Sequence, residues 1–176
     1  TGHGEIDTAA SDAERACDAA DGFAARTLHG EALERYAQAR AVVDAPSLAE
    51  MTPPVQLVWQ RATLGEARSL CLLGRGVEAL PQLKRAGTMW PHHPEVLALF
   101  AYAAAAAANA DTGRELGNAE TARTAMLRLL RQDVTSAALL HFAGDAAMML
   151  RDEALALGFY RRALARDPAR PTARVA

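Results

Sequence analysis

The sequence predicts an all-α fold, a right-handed α-solenoid of about four antiparallel helix hairpins, and three observations carry that prediction. Apolar residues recur at i, i+3, i+4 and i+7, as in Leu139, Phe142, Ala143, Ala146 and Leu150, which places them on one face of a helix. No stretch alternates with period two over a strand's length. The segment Met126-Leu-Arg-Leu-Leu-Arg-Gln-Asp133 recurs as Tyr160-Arg-Arg-Ala-Leu-Ala-Arg-Asp167, so Ala122 matches Ala156 and Leu130 matches Leu164 at a spacing of 34 residues. That is the length of one helix-turn-helix unit, which cannot bury its apolar face alone and must stack on a neighbour.

The elements follow in order. Helices are expected at about 8–27, 30–43, 54–73, 76–89, 94–110, 118–132, 136–149 and 152–166, which makes four pairs. Thr52 can cap the third helix and Pro53 can open it, because the first helical position has no use for its N–H. Gly74 suits the turn that follows. Pro81 lies deep in the fourth segment and should kink or shorten it by removing a backbone bond. His93 can cap the helix opened by Pro94, and Trp90 beside Pro91 closes a hairpin end. Ala103 to Ala108 strip that helix of bulk, which favours close approach of its neighbours. Asp111-Thr-Gly and Leu116-Gly-Asn break the chain again, and Asn118 can cap the next helix.

The last copy, 137–170, carries the most regular pattern: Gly144 where two helices touch, Ala156 facing it, Tyr160 and Ala163 continuing the seam, and Pro168 ending the unit. Upstream, Ala67, Ala79, Ala86 and Pro91 repeat it, as do Ala20, Phe23, Ala32, Tyr36 and Ala39. On these residues the chain resembles the tetratricopeptide repeat family, as one domain over 1–176 with units at about 13–46, 54–93, 94–136 and 137–170. Glu66 and Pro81 depart from the family pattern, and Asp44 stands where proline is usual. The matching alanines Ala32, Ala79, Ala122 and Ala156 are 47, 43 and 34 residues apart, so insertions are expected at Ser47 to Trp59 and Asp111 to Asn118. Pro168-Ala-Arg-Pro171 reads as the opening of another unit, which implies a fragment of a longer array or a short cap. A last seam left uncapped at Ala163 and Leu164 would permit a homodimer.

Composition narrows function by exclusion. Half of the 176 residues are apolar and the formal charge is only −2, with both signs interleaved, which is the profile of a soluble globular domain without an electrostatic footprint for nucleic acid. Lys84 is the sole lysine among 19 basic residues, a usage that fits an arginine-rich, high-GC bacterial genome. No run reaches the roughly 18–20 apolar residues of a membrane span. Cys17 and Cys71 sit in apolar helical patterns and read as buried thiols. There is no initiator methionine and no signal-peptide pattern at Thr1, as expected of a processed or excised chain; the compartment stays open, with the cytoplasm slightly favoured.

The resemblance implies that first helices of successive hairpins line a groove for a peptide or helix of a partner protein. Carried over by position, that groove is expected to use Arg61, Leu64 and Arg68, then Tyr102, then His141, Asp145 and Met148, with Cys17, Asp21 and Ala98 beside them. The bland alternative is that these are ordinary solvated helix positions. A carboxylate clamp of the chaperone-tail kind is not expected, because Cys17, Asp21, Leu64, Ala98 and His141 stand where its lysines and asparagines belong.

No catalytic set is legible. G-x-S-x-G, P-loop and G-x-G-x-x-G patterns are absent, and His92-His93-Pro94-Glu95 lacks a second ligand cluster that would complete a metal site. His141 and Asp145 are an i, i+4 pair, which reads more readily as a surface pair than as an acid/base couple. The expected function is a protein-binding scaffold that is not an enzyme and needs no cofactor. Two alternatives stay open: a regulatory or substrate-docking module of a larger bacterial enzyme, and a ligand-sensing domain with a pocket lined by Arg61, Arg68 and Tyr102.

Overall fold

A computed structural model describes residues 2–45, 50–110 and 116–168, which form eight α-helices and no strand. These are α1 (Gly2–Ala25), α2 (His29–Val43), α3 (Pro53–Leu72), α4 (Leu80–Met89), α5 (Pro94–Ala110), α6 (Leu116–Leu130), α7 (Ala137–Met149) and α8 (Glu153–Arg166). Residues 47–49 of the first expected insertion, residues 111–115 of the second, and the expected opening of another unit after Pro168 lie outside the described residues. Helix α1 starts at Gly2, well before residue 8, and the segment holds no proline to interrupt it.

Three helix ends share one device. Thr27, Gly74 and Arg151 each take a positive φ, of 61°, 73° and 56°. The next residue then donates its N–H back five residues: Leu28 to the Phe23 carbonyl at 3.0 Å, Arg75 to Leu70 at 2.8 Å and Asp152 to Ala147 at 3.0 Å. This is a Schellman closure, which satisfies helix-end carbonyls through one left-handed residue. It ends α1 at Ala25 rather than at the expected 27. Only Gly74 has the residue type that takes this conformation without steric cost.

Pro81 shortens its helix as expected. The segment 76–79 is a tight 3₁₀ turn, and α4 begins only at Leu80, so the proline falls in the first turn where no partner for an N–H is needed. Asn118 departs from expectation: α6 begins at Leu116, and Asn118 is a buried residue inside it rather than its cap. Thr52 does occupy the position before α3, but its side chain makes no capping bond; its carbonyl accepts from the Gln56 N–H at 2.9 Å. Ser136 and Asp152 do cap, accepting from the Leu139 and Leu155 N–H groups.

Helices adjacent in sequence pack on one another, and α1, α3, α5 and α7 also pack in succession. Helix α5 touches α3, α4, α6 and α7, which its alanines explain, since Ala101, Ala103, Ala104 and Ala105 are fully buried. Two glycines admit tyrosines. A Cβ on Gly65 would lie 2.4 Å from the Tyr36 ring, and one on Gly144 would lie 2.5 Å from the Tyr160 ring. Gly144 therefore receives Tyr160 rather than Ala156 alone.

Two predictions follow from this geometry. Thr27→Gly and Arg151→Gly should each stabilise the fold by about 0.5–1 kcal/mol, because each relieves a left-handed residue at an exposed turn; Gly74→Ala should cost about 1 kcal/mol. Chemical denaturation of the three variants measures this. Gly65→Ala should cost about 1–3 kcal/mol, since the buried Tyr36 has nowhere to move, whereas Gly158→Ala, with open space at its Cβ, should gain about 0.5–1 kcal/mol. Thermal midpoints shifting the same way for both would contradict the close-approach account.

Candidate functional site

The Tyr36 ring, seated on the Gly65 backbone, organises an open cleft. Its hydroxyl donates to Asp21 of α1, and Asp21 also accepts from Arg61 of α3, so one carboxylate ties three helices together. Arg61 donates to Asp18 as well, at 2.7 Å. Seven residues along α3, two helical turns, Arg68 bonds Glu95 in the first turn of α5, with Nε at 3.1 Å. Between these two ion pairs opens a cleft of about 700 Å³. It is lined by Asp21, Tyr36, Gln60, Arg61, Leu64, Arg68, Leu72, Glu95 and two histidines, His29 and His93.

The electrostatics are nearly balanced. Burial pulls the Asp21 carboxyl upward, but hydrogen bonds from Tyr36 and Arg61 and the charges of Arg61 and Arg68 outweigh it and hold the group below its ordinary range. Burial, reinforced by Asp21, raises the Tyr36 hydroxyl well above the ordinary tyrosine value. The Nδ1 atoms of His29 and His93 are buried and lack a hydrogen-bond partner among the described residues. Neither atom is open to water, so both nitrogens lie behind the cleft surface rather than on it.

The residues expected from the sequence divide into two groups. Arg61, Leu64 and Arg68 share the cleft, although Leu64 is buried to 4% exposure and forms its floor. Tyr102, His141, Asp145 and Met148 do not reach it. Tyr102 stands edge-on to Phe142 at 5.5 Å, Tyr160 donates to Asp145 at 2.6 Å, and the buried His141 ring lies 5.4 Å from the Tyr160 ring. Met148 is half exposed near the end of α7. Tyr102 therefore does not line the cleft that Arg61 and Arg68 share. Cys17 and Ala98 are fully buried and face the core rather than a groove.

His29, Tyr36, Gln60, His93 and Glu95 were not singled out for the site. One signal for Tyr36 stood in the sequence: Asp21 to Tyr36 and Asp145 to Tyr160 are both 15 residues apart, and both pairs are hydrogen-bonded. His93 reads as a cap, and its carbonyl does accept from the Leu97 N–H at 3.0 Å, but its ring makes no capping bond.

Nucleophile and metal chemistry find little here. Cys17 and Cys71 are free thiols, and burial pushes them up to about 11 and about 12, so neither is a thiolate at neutral pH. Among the described residues no three His, Cys, Asp or Glu side chains are arranged to hold a metal ion, and no helix is long and apolar enough to cross a membrane. No family model matches the chain, and no curated protein matches it.

The depressed Asp21 carboxyl makes a signed prediction. A carboxylate held low in the fold contributes stability that is full above the ordinary carboxylate range, around pH 4, and is lost as pH falls through the lower folded value. Asp21→Asn should therefore be less stable than the parent at neutral pH, and the gap should narrow on acidification below about pH 4. Urea titrations at several pH values measure the gap; a constant gap would remove the carboxylate from that role.

Proposed function

We propose that the chain is a right-handed array of four tetratricopeptide-like hairpins that binds a segment of a partner protein in the cleft on its first helices, as a scaffold and not an enzyme. The repeat reading is supported by the succession of α1, α3, α5 and α7, each packed on the next. It is also supported by the spacing of the left-handed caps. Thr27 to Gly74 spans 47 residues and Gly74 to Arg151 spans 77, the same intervals that separate Ala32, Ala79 and Ala156.

The observation that carries the functional reading is the open cleft across α1, α3 and α5, with Leu64 and Leu72 between two ion pairs. Because Arg61 and Arg68 already hold Asp18, Asp21 and Glu95, a purely acidic ligand must break those pairs to gain its own. A segment with an apolar anchor and polar main-chain groups, which leaves the pairs intact, suits this cleft better.

Peptides selected by display on the folded chain test the reading. Leu72 is half exposed at the cleft edge, so Leu72→Asp should leave helicity and the thermal midpoint unchanged while weakening the selected peptides at least about tenfold, or about 1.4 kcal/mol. Fluorescence anisotropy reads the affinity. Equal binding by parent and variant would mean that the cleft is not the site.

A further inference from the structure

A second cleft, of about 370 Å³, shares no lining residue with the first and lies between α4, the start of α5 and α6. Its floor is apolar: Val96 and Leu97 are buried, and Phe100 and Pro91 extend the surface. Its walls are not. Lys84 projects from α4 and Arg128 from α6, both exposed, and neither has a carboxylate partner among the described residues.

This contrasts with the first cleft, where each arginine is already paired. Glu120 also lines the second cleft, but it precedes Arg128 by eight residues, roughly 12 Å along the helix, so it does not neutralise that cation. The balance is one uncompensated positive charge. The first turn of α5, which supplies Val96 and Leu97, adds the positive end of a helix dipole. Gly87, between Lys84 and Thr88 on the lining face of α4, has open space where a Cβ would be. An alanine would fit there and favour the helix, so glycine is unfavourable for α4 and its effect is to keep the cleft unfilled.

We propose that this cleft binds a small apolar monocarboxylate, an aliphatic acid of about six to ten carbons, with its chain on the Phe100 floor and its carboxylate between Lys84 and Arg128. The volume falls in the range of small-molecule sites, and two unpaired cations lining a cleft with an apolar floor suit one anionic head on an apolar body. A neutral apolar molecule would leave both cations unused, and a multiply charged anion would find no use for the floor.

The single lysine supplies the readout. Reductive ¹³C-methylation keeps the charge and labels only Lys84 and the terminal amine, so the Lys84 signal reports the cleft directly. Octanoate should shift that signal saturably, while 1-octanol, the same chain without the charge, should bind at least about tenfold more weakly. Gly87→Leu fills the cleft from a position with free space and should abolish the shift with no loss of thermal midpoint. Arg128→Gln, at an exposed site, should weaken octanoate at least about fivefold. An absent or non-saturable shift, equal binding of octanol, or an unchanged affinity in Gly87→Leu would each overturn the proposal.

Discussion

The seat of the Tyr36 ring on the bare backbone of Gly65 is the constraint on which the rest of the α1–α3 region depends. Ring and backbone approach closely enough that no side chain fits between them, and the phenol oxygen is thereby delivered to Asp21. Asp21 in turn holds Arg61, whose guanidinium reaches a second acid, Asp18. A packing contact between α2 and α3 therefore sets the charge pattern of a cleft that opens between α1 and α5. The energy of each bond is modest, because the Asp21 carboxylate is half exposed and water can replace a lost donor.

The positions that depart from the repeat pattern are also accounted for by contacts. Asp44, where the tetratricopeptide pattern that the sequence resembles has proline, accepts from the Trp59 indole N–H at 2.9 Å and from Arg85 at 3.0 Å. Arg85 also lies over the Trp59 ring, which stacks on Trp90 at 6.1 Å. Glu66 accepts from Arg40 at 2.6 Å. A proline at position 44 could cap α2, but it could not hold an indole and a guanidinium. Asp44 and Glu66 thus build an aromatic and ionic junction that ties the end of α2 to α3 and α4.

Helix periodicity is a local property, and it was legible. The all-α class, the shortening at Pro81 and the close packing around the alanines of α5 all follow from residue types within a turn or two of each other. The ends of α1 and the start of α6 were not, because Thr27 takes a left-handed conformation that its side chain disfavours and Asn118 is used inside a helix rather than before it. The cleft was legible in part. Arg61 and Arg68 lie seven residues apart, two turns of one helix, and so share a face. Extending the same set to Tyr102 and His141 required the orientation of α5 and α7 relative to α3, which no local pattern contains. Their side chains join a separate cluster around Phe142 and Tyr160.

The two clefts show why lining residues alone do not describe a site. Both contain two cations, yet in the first every positive charge faces an acid on a neighbouring helix, and in the second Lys84 and Arg128 face an apolar floor. A charge already paired contributes little net attraction to an incoming anion, since the ligand must replace a bond of similar strength. An unpaired cation beside apolar surface retains its hydration until an anion arrives with an apolar body that covers the floor, so the two interactions are made together. The physical difference is one of partners rather than of residue type. It is why a main chain is the ligand proposed for the first cleft and a single carboxylate the one proposed for the second.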